Sequence, residues 1–136
     1  MSAYSETFPW PSHYGHYDFF EARMKQHGKV ASLKAHGGGL YDLTRTQGDT
    51  LRVFICECYA FGVAEYMEVV KNLGHIDVVI INSAWCGYAP DAKFHCREAN
   101  VGLFKIGELM GALYRDDYWR YLTDDQKESY KKQGWL

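Results

Sequence analysis

The chain has no run of about 18 apolar residues, the length that reads as a membrane span. Its start, MSAYSETFPWPSHYGHYDFF, lacks the basic and apolar stretches of a secretory signal, so a cytoplasmic protein is the expectation. It also lacks an excess of cations: 15 Lys and Arg stand against 17 Asp and Glu, for a net charge of −2. That balance argues against a general polyanion binder, because non-specific nucleic-acid affinity comes from Lys and Arg neutralising phosphates; a local basic patch stays open. Cysteine is sparse, with Cys56, Cys58, Cys86 and Cys96 alone, and no C-x₂-C knuckle of the kind structural zinc uses. In a reducing compartment these four read as small buried thiols, on the strand face opposite Glu57.

What is present fits one α/β domain. At 136 residues the chain is long enough to bury a core without disulfides or a structural metal. Its 7 Phe, 11 Tyr and 4 Trp exceed what a minimal core needs, which leaves rings for an interface. Residues 1–15 carry Pro9 and Pro11 among aromatics with no period and read as an arm that wraps the domain or docks on a neighbour. Tyr17, Phe20, Met24 and His27 recur at helical spacing over about 15–27. Val30–Lys34 and Leu40–Arg45 are extended segments around Gly37–Gly39, where no Lys-Ser or Lys-Thr pair follows to suggest a phosphate cradle. The turn residues TQGD then precede the apolar run LRVFICECY.

A helix over 63–73 follows, then the β-branched run IDVVIIN, which has the composition of a parallel strand buried on both faces. Pro90 opens a helix to about Glu98, Val101–Ile106 reads as a strand, and Gly107–Tyr114 as a short helix. Thr123 with Gln126 is a capping-box signal for a last helix. The predicted order is α-β-β-β-α-β-α-β, with a C-terminal helical extension over 114–136.

The residue with the sharpest chemical implication is Glu57, a carboxylate inside an apolar run. Burying it costs several kcal/mol unless a cation or hydrogen bonds meet it, so something must pair with it. If Gln47 and Gly48 form the hairpin turn, Asp42 faces Val53, which shares its side of the sheet with Glu57. Both acids then face one pocket, roughly 13 Å apart along the strand direction unless a bulge draws them together. Two acids on adjacent strands are hard oxygen ligands suited to Mg²⁺, which would polarise a phosphate and activate a water. The plainer alternative is a surface acid at Asp42 and an edge-strand acid at Glu57, paired with Arg45 or Arg52. His36 is placed to approach the pocket near Asp42.

The segments GGGLYDL, RVFICECY, the helix after them and VVIINSAWCGYAPDAKFHCREANVGLFKIGELMGAL together resemble the PD-(D/E)xK superfamily, particularly Mrr-type restriction nucleases and Holliday-junction resolvases, over about residues 16–113. The resemblance implies a three-layer, restriction-endonuclease-like α/β/α domain with a mixed central sheet. It implies that Asp42 and Glu57 fill the family's acidic slots and hold Mg²⁺, and that Glu21 occupies the helix-one slot that sometimes assists. The family's lysine slot, two residues after Glu57, holds Tyr59, which cannot supply a cation to a developing phosphorane. Lys34 on the preceding strand or Lys71 on the next helix would have to do so. The implied function is Mg²⁺-dependent hydrolysis of DNA by a degenerate site. The competing expectation is a non-catalytic interaction or oligomeric protein on the same scaffold, binding through its aromatic arm and C-terminal helix.

A further likeness is partial. SAWCGYA resembles the thioredoxin entry, but Ala89 stands where the second cysteine would, and Pro90 is the last proline of the chain.

Overall fold

The computed structural model describes residues 7–12 and 14–136, so of the arm expected over 1–15, residues 1–6 and His13 lie outside it. The elements are α1 (Tyr14–Gln26), β1 (Val30–Gly37), β2 (Leu40–Arg45), β3 (Thr50–Cys56), β4 (Ala60–Phe61), α2 (Val63–Leu73), β5 (Val78–Ile81), β6 (Gly87–Tyr88), α3 (Pro90–Glu98), β7 (Gly102–Phe104), α4 (Ile106–Ala112) and α5 (Asp124–Gln133), with a 3₁₀ turn at Tyr118–Arg120. The predicted order is present. The addition is the two-residue pair β4 and β6, a small parallel ladder too short to leave a periodic signal.

The main sheet is mixed, in the order β1-β2-β3-β5-β7. β1, β2 and β3 run antiparallel as two hairpins, whereas β3, β5 and β7 are parallel. Helices cover both faces, giving three layers. On one face Phe20 and Met24 of α1 and Leu109 and Ala112 of α4 pack on Tyr41, Leu43, Val53, Ile55, Val78 and Ile80. On the other, Tyr66 and Val69 of α2 and Ala92 and Cys96 of α3 pack on Phe54, Cys56, Val79, Ile81 and Leu103. β5 is buried at every position, which is why its sequence is continuously apolar. Residues 114–136 join the same core: Tyr118 is buried in the first cluster, and the ring of Tyr130 meets Phe94 of α3 edge-on.

The β2–β3 turn differs from the expected one, and the difference matters below. Arg45 N–H donates to Asp49 O and Gly48 N–H to Arg45 O, so the loop is three residues, Thr46-Gln47-Gly48, with Gly48 at φ 102°. Arg45 fixes this closure. Its buried guanidinium meets the Asp49 carboxylate at 2.6 Å through Nη2 and donates through Nη1 to the carbonyls of Arg115 and Leu113. Asp42 therefore faces Arg52, not Val53; Tyr41 is the residue opposite Val53.

At the β1–β2 turn, Gly39 sits at φ +87°, its carbonyl accepts from Ile55 N–H at 2.8 Å, and a Cβ there would lie 2.3 Å from the Ile55 carbonyl oxygen. Gly39→Ala combines a left-handed backbone with a backbone clash, and a loss of at least about 2 kcal/mol in urea unfolding is expected. Gly38→Ala, at φ +63° with open space around its Cβ, carries the strain alone and should cost about 1 kcal/mol.

Candidate functional site

Because side chains alternate along a strand, a slip of one residue moves a side chain to the other face. With Tyr41 opposite Val53, the face of Tyr41, Leu43, Val53 and Ile55 is the one covered by α1, and Glu57 continues it. Asp42 belongs to the opposite face. The expectation that Asp42 and Glu57 face one pocket is corrected by this register, whose physical cause is the Arg45–Asp49 closure.

Asp42 sits in a cross-strand row on the outer sheet surface. Lys34 of β1 is directly opposite on one side and Arg52 of β3 on the other. His36 Nε2 lies 2.8 Å from Asp42 Oδ2, and Arg52 Nε 3.7 Å from Oδ1. The His36 hydrogen bond, chief among these neighbours, holds the Asp42 carboxyl below its ordinary range. Lys34, proposed from sequence as the substitute cation for Glu57, thus neighbours the other acid. Lys71 lies in the last turn of α2, the turn that leads into the start of β5, whereas Glu57 follows the end of β3; the two belong to opposite ends of the parallel strands.

Glu57 is 2% exposed, and the side chain that stands at ion-pair distance from it comes from α1. His16 Nδ1 of α1 lies 3.2 Å from Glu57 Oε1, and Glu57 N–H donates to the carbonyl of Trp10. Around this pair are the ends of the parallel strands. Asn82, just past β5, is buried and its amide reaches Ser12 Oγ at 3.4 Å. Lys105, just past β7, donates through Nζ to the carbonyls of Ser83 and Cys86, at 2.6 and 2.5 Å. That amine is spent on fixing the 83–86 loop, in which Ser83 takes φ 80°. The carboxyl ends of parallel strands are the usual ligand crevice of α/β sheets. Here residues 7–12 lie across them: Trp10 is buried against Phe61, and Phe8 stacks on Phe54. The described part of the expected arm, residues 7–12, thus packs on its own domain.

Tyr59 is 60% exposed, past the end of β3, and its carbonyl accepts from Gly87 N–H to close the β4–β6 ladder. Glu21 of α1 accepts a 2.8 Å hydrogen bond from Tyr41 OH, so a phenol and not a carboxylate from β2 meets the helix-one acid. Burial, then this bond, pushes the Tyr41 hydroxyl pKa well up. These two residues line a cleft of about 250 Å³ with Tyr17, Asp18 and the glycines of the β1–β2 turn.

The arrangement does not fit one Mg²⁺ held jointly by Asp42 and Glu57, and among the described residues no group of three or more His, Cys, Asp or Glu side chains is placed to hold a metal ion. The four thiols are buried in the α2/α3 core and burial drives each of their pKa values up; Cys86 does not lie on the face away from Glu57 as expected, since the Glu57 charge adds to its rise. Two features were not foreseen from sequence. One is the His16–Glu57 partnership, where Glu57 announced the need for a partner but not which residue meets it. The other is a corner where Phe94 of α3 stacks on Trp135 beyond α5, at 5.3 Å and with the rings 1° from parallel. Among the described residues no helix is long and apolar enough to cross a membrane. No protein-family model, curated protein or solved structure matches this chain.

Proposed function

We propose that this chain is a non-catalytic interaction domain on a nuclease-like scaffold. The strand order and the mixed three-layer sheet support the likeness to the restriction-endonuclease-like scaffold, while the acid pair is the part that has been taken apart. The observation that carries this reading is the one-residue register at β2–β3. It gives Asp42 to a solvent-facing row with Lys34, His36 and Arg52, and Glu57 to a buried pair with His16. Each acid has its own neighbour at ion-pair distance, and Tyr59 supplies no cation beside Glu57. The rings of Phe8 and Trp10 are committed to the domain's own core, whereas Trp135 at the C-terminal corner is 42% exposed and, like Phe19, Tyr59, Trp85 and Tyr114 elsewhere, open to a partner.

Mn²⁺ titration followed by water-proton relaxation tests the reading, with Asp42→Asn and Glu57→Gln alongside the unaltered chain. Mn²⁺ reports Mg²⁺-type oxygen sites directly. The expected result is no saturable site that both substitutions remove. One ion per chain, lost equally in each variant, would restore the shared metal centre and the hydrolytic reading with it.

A further inference from the structure

We propose that the cleft between α3, the 3₁₀ turn and the C-terminal Trp135 is a binding site for a nucleoside phosphate, its phosphate on Arg97 and Arg120 and its base on Trp135. The cleft has a volume of about 270 Å³ and is lined by Phe94, Arg97, Glu98, Arg120 and Trp135. Three observations of different kinds meet there.

The first is an unmet donor. Arg97 holds Nη2 against the carbonyl of Arg120, but its Nε is buried with no hydrogen-bond partner. A guanidinium N–H shut away from water without an acceptor is costly, so Arg97 gains from any turn of its side chain that brings Nε to an anion in the cleft.

The second is charge. Arg97, Arg115 and Arg120 crowd together, and burial followed by the Arg120 and Arg115 charges lowers the pKa of Arg97. Asp117 is their nearest counter-charge, 3.3 Å from Arg115 Nε and 3.9 Å from Arg120 Nε. Three guanidiniums against the carboxylates of Asp117 and Glu98 leave a local excess of one cation in a chain whose net charge is −2. Glu98 also lines the cleft. It opposes a second anion at its own edge, so the favourable place for phosphate is between the two arginines, with Glu98 an acceptor for a base or sugar donor.

The third is the stacked pair. Phe94 holds the Trp135 ring parallel to its own, and the Arg97 guanidinium lies 5.3 Å from the Phe94 ring centre. Trp135 is thereby a fixed, half-exposed aromatic platform beside the arginines, and bases stack on such platforms whatever their sequence. A simple carboxylate or inorganic phosphate would leave that platform unused. A duplex does not fit either, since its bases are already stacked and the cleft lies below the roughly 300–1,000 Å³ of drug-sized ligand sites. One nucleotide unit suits it, free or within a single strand.

The proposal rests on reading the chain as a binding domain, and it has its own readout. Calorimetric titration of the full chain would use AMP, adenosine, inorganic phosphate and a short single-stranded oligonucleotide, at one low salt concentration. AMP is expected to bind saturably, with adenosine and phosphate each about tenfold or more weaker. Arg120→Ala, which alters an exposed side chain, should weaken AMP about tenfold or more with unchanged circular dichroism and melting temperature, and Trp135→Ala should weaken it as much while the chain stays folded by far-ultraviolet circular dichroism. Arg97→Lys, which keeps the charge but loses the planar fork, should weaken it too. Within a positive result, an oligonucleotide tighter than AMP identifies the nucleotide as part of a strand, and equal or weaker binding identifies it as free. No saturable AMP binding, or AMP binding untouched by Arg120→Ala and Trp135→Ala, overturns the site. A chain that bound AMP yet cleaved DNA would leave this site standing and remove the non-catalytic reading.

Discussion

Replacing Lys93 with alanine is expected to cost about 2–5 kcal/mol in urea unfolding, and replacing it with methionine much less. Lys93 lies on α3 and is only 1% exposed, yet it carries an amine. Its Nζ donates to the carbonyl of Leu103 at 2.7 Å and sits 4.2 Å from the centre of the Phe104 ring. Alanine opens a cavity of three methylenes and an amine and leaves the Leu103 carbonyl without its donor. Methionine fills most of the space and removes a buried charge. The charge has a signature of its own, because burial lowers the Lys93 pKa to about 8 from an ordinary 10.5. Below about pH 8 both folded and unfolded chains carry the proton, and the full cost of burying the cation is present. Between about 8 and 10.5 the unfolded chain holds more protons, so rising pH relieves that cost and stabilises the fold by up to about 3 kcal/mol. Buried thiols and phenols titrate with the opposite sense at alkaline pH, so the quantity to measure is the difference between the unaltered chain and Lys93→Met. The stability of Lys93→Met relative to the unaltered chain should fall steadily from pH 8 to pH 10; a constant difference would mean that Lys93 keeps its ordinary pKa in the folded chain.

The two acids of the sequence-derived pair should behave differently. Glu57→Ala is expected to lose about 2–4 kcal/mol, from the cavity and from a His16 ring deprived of its buried carboxylate. Asp42→Ala removes one side of solvent-exposed pairs to His36 and Arg52 and should cost under about 1 kcal/mol. Urea unfolding of both variants under the same buffer makes the comparison. Equal effects would contradict their assignment to different environments.

The elements with strong local signals were legible in the sequence. α2 and α3 match their expected bounds because an apolar stripe ends in Gly74 in one case and Pro90 opens the helix in the other. β5 was legible because a strand covered on both faces needs no polar residue. The hairpin register was not. It depends on Arg45 and Asp49 reaching each other and on Arg45 being held by carbonyls some 70 positions along the chain, and a turn sequence alone does not encode that contact. That single residue decides the candidate site, since it moves Asp42 to the other face of the sheet. The corner built by Phe94, Arg97, Arg120 and Trp135 was illegible for a related reason: its members come from three elements, and no spacing links them. The aromatic surplus pointed to an interface without saying where.

The central claim, a nuclease-like scaffold without phosphodiester hydrolysis, is tested most directly by cleavage of labelled duplex, single-stranded and branched DNA with Mg²⁺ or Mn²⁺. The unaltered chain and Glu57→Gln would be prepared identically. The account predicts no cleavage by the unaltered chain above the level of the variant on any of the three substrates; metal-dependent cleavage that disappears in Glu57→Gln would contradict it.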